Sequence, residues 1–166
     1  MEIRFDLMNY QKYCEYHHLI ETIARNAKST NLSALTISGI SLSNQVSDID
    51  LTVYQPNPAF NNKSTKDKEY RYYQNFLIVT RHSGEIIQLK SLSEQEAASF
   101  AGEEIRDLSD MENKLGKQYS KQSYDSSQDL HAYVYYDKEH RIKASFVYPK
   151  NHNNDNKLIW AILERY

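Results

Sequence analysis

At 166 residues, with 40% hydrophobic and 25% charged side chains, the chain has the size and composition of one globular domain, which excludes a wholly disordered chain and removes any need for a disulfide or metal staple. A formal net charge of −2 gives no global electrostatic case for nucleic acid or an anionic membrane. The single Cys14 has no internal disulfide partner, the N-terminus lacks the apolar centre of a signal peptide, and the apolar runs fall far short of the ~20 residues of a membrane span, so a cytoplasmic protein with no membrane association is expected.

The elements follow from periodicity. Leu7, Tyr10, Tyr13 or Cys14, His17, Ile20 and Ala24 recur at helical spacing, which predicts a first helix over 6–28 with Asp6 as its cap. Residues 35–42 and 49–54 read as two strands around the polar turn Ser43-Asn44-Gln45, with Gly39 marking a bulge or a close backbone approach. Pro56, Pro58, Asn61 and Asn62 make 55–67 an exposed loop whose length suggests mobility or function. A strand over 70–80, the turn Arg81-His82-Ser83-Gly84 and a return strand over 85–90 form an antiparallel hairpin.

A capping-box pattern at Ser93 and Glu96 opens a predicted helix over 93–117. Its apolar stripe runs through Ala97, Phe100, Ala101, Ile105, Leu108, Met111 and Leu115, with Gly102 able to bend or split it and Gly116 as its stop. Residues 120–129 read as polar linker, and 130–136 with 142–148 as a second hairpin. Leu158, Ile159, Ile162 and Leu163 on one side of 157–165 suggest a short terminal helix. The expected fold is a single α+β domain of about six strands in a largely antiparallel sheet, packed against N-terminal, central acidic and C-terminal helices.

Gly39, Ser41, Asp48 and Asp50, in the run Ser47-Asp48-Ile49-Asp50-Leu51, carry the strongest chemical pattern. They resemble the signature of the nucleotidyltransferase superfamily, a Gly-Ser pair followed by Asp-x-Asp at the start of the next strand. That resemblance implies Mg²⁺ held by Asp48 and Asp50 at triphosphate oxygens, with Glu85 as the nearest third acid. The run Ile86-Ile87-Gln88-Leu89-Lys90 after the same acids is similar to the core of PD-(D/E)xK nucleases, with Gln88 in the place of an acid. This would imply Mg²⁺ and a Lys90 that helps to activate water. The plainer readings, a hairpin with exposed acids at its turn and a half-exposed strand, rank ahead of both. The six histidines show no i, i+4 helical pair of the kind that binds catalytic zinc.

The remaining signals concern surfaces. Glu94, Glu96, Glu103, Glu104, Asp107, Asp110 and Glu112 crowd the predicted central helix. Fourteen tyrosines include Tyr70, Tyr72, Tyr133 and Tyr135 on predicted strands, and Tyr is enriched at interface hot spots. The leading expectation is therefore a non-enzymatic binding protein of the immunity, inhibitor or mobile-element accessory type. It would need no cofactor and would dock on a protein partner through Glu103, Glu104, Asp107 and Asp110 together with these tyrosines. The alternative is an Mg²⁺-dependent transferase-like or nuclease-like enzyme centred on Asp48 and Asp50.

Overall fold

The structure is a computed structural model and describes residues 15–94, 98–125, 127–150 and 157–166. Helix α1 covers 15–26 among them, so residues 6–14 of the predicted first helix lie outside the described residues, as do Glu96 and Ala97 of the predicted second.

The chain builds an α+β fold on an eight-stranded sheet, with a smaller three-stranded sheet beside it. The strands are β1 (Leu35–Thr36), β2 (Lys63–Ser64), β3 (Lys68–Tyr72), β4 (Phe76–Arg81), β5 (Ile86–Ser91), β6 (Ala98–Phe100), β7 (Glu103–Ile105), β8 (Ser120–Asp125), β9 (Leu130–Asp137), β10 (Ile142–Pro149) and β11 (Trp160–Arg165). The large sheet runs β2-β3-β4-β5-β11-β10-β9-β8 and the small one β1-β6-β7, antiparallel throughout. Eight and three strands replace the expected six or so.

The two strong hairpin readings hold. β9 pairs β10 from Ile142↔Asp137 to Pro149↔Leu130, and β4 pairs β5 around Ile78↔Leu89. The predicted strand over 70–80 divides into β3 and β4, and Tyr73 closes their turn by donating its backbone N–H to Phe76 O at 2.8 Å.

Four predicted segments change type. The segment 157–165 is not a helix but β11, held between β5 and β10 by Leu163↔Leu89 and Leu163↔Ala144. A nine-residue apolar pattern does not distinguish helix from strand, and here two open strand edges supply partners for every other backbone group. The helix predicted over 93–117 breaks into β6, β7 and the eight-residue helix α2 (Leu108–Leu115). Ala101 and Gly102 both take positive φ (49° and 83°), the geometry of a type I′ hairpin turn, so they fold β7 back on β6 rather than continuing a helix. Gly116, the predicted stop, does end α2, donating its N–H to Glu112 O at 2.8 Å.

Third, the predicted hairpin over 35–54 is reduced to β1 and two 3₁₀ turns, Val46–Asp48 and Leu51–Val53. Ser38 and Gly39 instead form a tight turn closed by Ile37 and Ile40, which exchange backbone hydrogen bonds at 3.0 and 2.9 Å. The predicted linker over 120–129 supplies β8, an exposed edge strand. Lys121 and a register shift between Ser123 and Asp125 blunt that edge.

Strand alternation divides the core in two. Tyr133, Tyr135, Phe146 and Tyr148 pack with Ile78 and Leu89 against β1, Ile105, Met111 and Leu115. Ala132, Val134, Tyr136 and Val147 face the other way and take Ile20 and Ala24 of α1. Ile105 is fully buried as expected, while Phe100 and Leu108 are half-buried at the rim of the same core. No helix of the described residues is long and apolar enough to cross a membrane.

Candidate interaction surface

The acids of the two enzyme-like patterns do not gather into a three-ligand site among the described residues. Asp48 ends the first 3₁₀ turn and Asp50 caps the second, both exposed and neither on a strand. Asp50 accepts from the Thr52 hydroxyl and from Thr52 N–H (3.1 Å), and these bonds hold its carboxyl below the usual carboxylate range. Glu85 is engaged by Arg81 at 3.0 Å and Arg165 at 3.6 Å. Gln88 donates to Glu164 at 3.5 Å, and Lys90 Nζ sits 5.6 Å from the centre of the Trp160 ring. The register puts Gln88 and Lys90 on the sheet face that α1 covers further along. Among the described residues no three His, Cys, Asp or Glu side chains gather to hold a metal. Gly39 serves a two-residue turn, so the Gly-Ser resemblance has a local structural cause.

The acidic segment is also spoken for. Glu103 and Glu104 lie on β7, not on a helix, because the Ala101-Gly102 turn intervenes. Glu103 pairs with Lys114 at 3.1 Å and Glu104 with Arg106 at 2.9 Å. Asp107 caps α2, its Oδ1 accepting from Asp110 N–H at 2.8 Å, and Asp110 accepts from Arg106 N–H at 3.2 Å. Two of the four acids therefore form exposed ion pairs and two fasten the start of α2, which corrects the picture of one open acidic helical face.

The tyrosines separate into two sets. Tyr133 and Tyr135 are 7% and 0% exposed, so they belong to the core and are withdrawn as surface anchors. Tyr135 donates its hydroxyl to Gly116 O at 2.7 Å, and burial pushes that phenol well above its ordinary range. Its neighbour Tyr119 is pushed up to about 12 by burial and by its bond to Glu112. Tyr70 and Tyr72, by contrast, are only half-buried, on β3 one strand in from the sheet edge.

The loop predicted over 55–67 supplies the partners of Tyr70 and Tyr72. Phe60 lies beside Tyr72 with ring centres 5.4 Å apart, and Lys63 Nζ sits 4.8 Å from the centre of the Tyr70 ring. Phe60 remains 57% exposed, and Val53, where the chain enters the loop, 67%. Two asparagines, Asn57 before Phe60 and Asn62 after it, fix the path of the loop. Asn57 accepts from Ala59 and Phe60 N–H (2.8 and 2.9 Å) and donates to Tyr73 O at 2.9 Å, while Asn62 accepts from Tyr72 N–H at 2.8 Å. Gln74 N–H bonds Gln55 O at 2.8 Å, and Tyr54 packs edge-on to Phe76 with centres 4.7 Å apart. The loop thus lies along β3, tied to it through Gln55, Asn57 and Asn62, with Phe60 turned outward.

No family model, curated protein or solved structure matches this chain.

A shallow cleft of about 600 Å³ opens on the other side of Tyr54, between the Ser38-Gly39 and Ala101-Gly102 turns, lined also by Ala98, Ser99 and Glu104. Sequence reading missed this cleft and also missed Val53 and Phe60. Phe60 was within reach, since an aromatic residue set among Pro and Asn in a loop has no core to enter. The turns that shape the cleft were hidden inside a predicted strand and a predicted helix.

Proposed function

We propose that this chain is a non-enzymatic binding protein that docks on a protein partner through the surface formed by Phe60, Tyr70 and Tyr72. The observation that carries the reading is the pairing of large exposed apolar side chains with a hydrogen-bonded, single-path loop. Ordering a loop on association normally opposes binding, and a loop already fixed by Asn57 and Asn62 avoids that cost. Aromatic side chains with an apolar body and a polar tip suit the centre of such an interface. The rim is basic: Lys63 sits over the Tyr70 ring and Lys68 shares the face of β3 that carries Tyr70 and Tyr72. A partner with an apolar spot bordered by carboxylates fits this surface, and rim charges of that sign would speed its approach. The immunity, inhibitor and mobile-element accessory classes all act by docking of this kind.

The test is affinity. A partner recovered from the native host with the intact chain as bait is titrated by calorimetry against Phe60→Ala and Tyr72→Ala. Each truncation is expected to weaken binding by about 1–2 kcal/mol, ~5- to 30-fold. Affinity within threefold of the unaltered chain for both variants would place the contact elsewhere. Glu103→Lys with Glu104→Lys is the control, expected to leave affinity nearly unchanged.

A further inference from the structure

The β4–β5 turn carries His82, and its imidazole reaches across to the β2–β3 turn. Its Nε2 lies 3.0 Å from Thr65 O and 2.9 Å from Lys66 O, and its Nδ1 lies 3.4 Å from Glu69 Oε1 on β3. All three partners are acceptors, so each ring nitrogen needs a proton to satisfy its side of the contact. A neutral ring meets only half of this. With the proton on Nε2 the carbonyls are bonded, and the Nδ1 lone pair then faces a carboxylate. The imidazolium donates from both nitrogens at once. From this geometry we infer that His82 is a proton-operated latch, which fastens the β2–β3 turn to the β4–β5 turn when protonated and loosens it when neutral.

The charges around the ring agree with this. Glu69 faces it from β3, and its other oxygen is held by Arg71. The β2–β3 turn carries Lys66 and Asp67, with Lys68 opening β3, and Arg81 and Glu85 flank the His82 turn and pair with each other at 3.0 Å. Hydrogen bonding to Glu69, then to Thr65 O and Lys66 O, raises the imidazole above its ordinary range. A group whose folded pKa is raised contributes stability that is complete below its unfolded value and lost as pH rises through the folded value. The latch therefore closes on acidification. The segment it ties includes β2, whose Lys63 sits over Tyr70, so a consequence that rests on the docking reading is tighter partner binding at lower pH.

The latch is tested without any partner, so its failure is separate from failure of the docking surface. The His82 ring is titrated by NMR in the full chain, and exchange protection is followed at the amides of Thr65, which donates to Lys68 O at 2.8 Å, and Lys68, which donates to Thr65 Oγ1 at 3.1 Å. The expected result is a midpoint above the ~6.5 of an ordinary histidine, lowered by Glu69→Gln, and a fall in protection across that midpoint which is absent in His82→Gln. His82 is on an exposed turn, so His82→Gln should fold, with circular dichroism as the control. A midpoint at or below ~6.5, one unmoved by Glu69→Gln, or the same pH-dependent protection in His82→Gln would each overturn the latch.

Discussion

Replacing Asp137 with Ala tests the most heavily used buried charge among the described residues. Asp137 ends β9 and is 1% exposed. Its Oδ2 accepts from Leu32 N–H and from His140 Nδ1, both at 2.8 Å, and its Oδ1 from His140 N–H at 3.0 Å. One carboxylate thus ties the segment before β1 to the β9–β10 turn. Asp137→Ala leaves the Leu32 N–H unpaired in a site where Leu32 itself is 1% exposed, which costs about 1–3 kcal/mol. The two His140 donors are nearer water and recover most of theirs, adding ~1 kcal/mol, so the variant should lose about 2–4 kcal/mol in all. For a chain of this length that corresponds to a Tm roughly 5–15 °C lower. Asp137→Asn is the sharper variant. Its shape is unchanged, but its amide NH₂ must face one of the N–H donors, so it too should lose about 1–3 kcal/mol. Urea denaturation at neutral pH measures both. Burial works to raise the Asp137 pKa, but the bonds from Leu32 and His140 outweigh it and leave the folded value lowered. The stability it adds is therefore present above the unfolded value of ~3.9 and lost as pH falls through the folded value, and Asp137→Asn should flatten the acid limb of the stability profile. Asp137→Ala costing under ~1 kcal/mol, or Asp137→Asn matching the unaltered chain, would refute the reasoning.

Other expectations follow from single contacts. Tyr135→Phe removes the 2.7 Å bond to Gly116 O at the end of α2 and should lower stability by about 1 kcal/mol by denaturant titration. Asp107→Ala removes the cap of α2 and should cost ~1 kcal/mol, whereas Glu103→Ala, at an exposed ion pair, should cost less than ~0.5 kcal/mol in the same assay. Gly102→Ala places a Cβ at φ 83° with open space around it, so backbone strain of about 1 kcal/mol, not a clash, is what thermal melting should register. Calorimetric titration with Mg²⁺ should show no saturable heat that Asp48→Ala with Asp50→Ala abolishes, since Asp50 is already committed to Thr52.

What the sequence made legible was local. The hairpins at Arg81-His82-Ser83-Gly84 and Asp137–Arg141 announce themselves because each turn sits between its own two strands, so every partner is near in the chain. β11 was illegible for the opposite reason. Its partners, Leu89 and Ala144, are supplied from elsewhere in the fold, and the residues 157–165 satisfy helical and strand periods about equally. The 93–117 reading failed on one turn: Ala101 has no sequence preference for positive φ, and the apolar stripe continued across it by chance. The same limit governs the candidate surface. Tyr70 and Tyr72 lie half-exposed as their residue type suggests, but Tyr133 and Tyr135, identical in type and spacing, point to the opposite face of the sheet and are buried there with Phe146 and Leu89, a difference of face and strand position that only the assembled register decides.

The placement of β11 also governs when the fold can exist. Ser91 on β5 and Ala161 on β11 exchange hydrogen bonds across 70 residues of chain, and β10 and β5 are joined in the sheet only by the strand between them. As the chain is synthesised, β3 to β5 and then β8 to β10 can each pair internally, but two apolar strand edges stay open until residues 160–165 have left the ribosome. Joining them closes the longest loop in the sheet, a step that depends on diffusion more than on local preference and that makes slow, late folding the expectation. For that interval the nascent protein presents two unpaired edges to its surroundings, which is the state most exposed to misassembly with its neighbours.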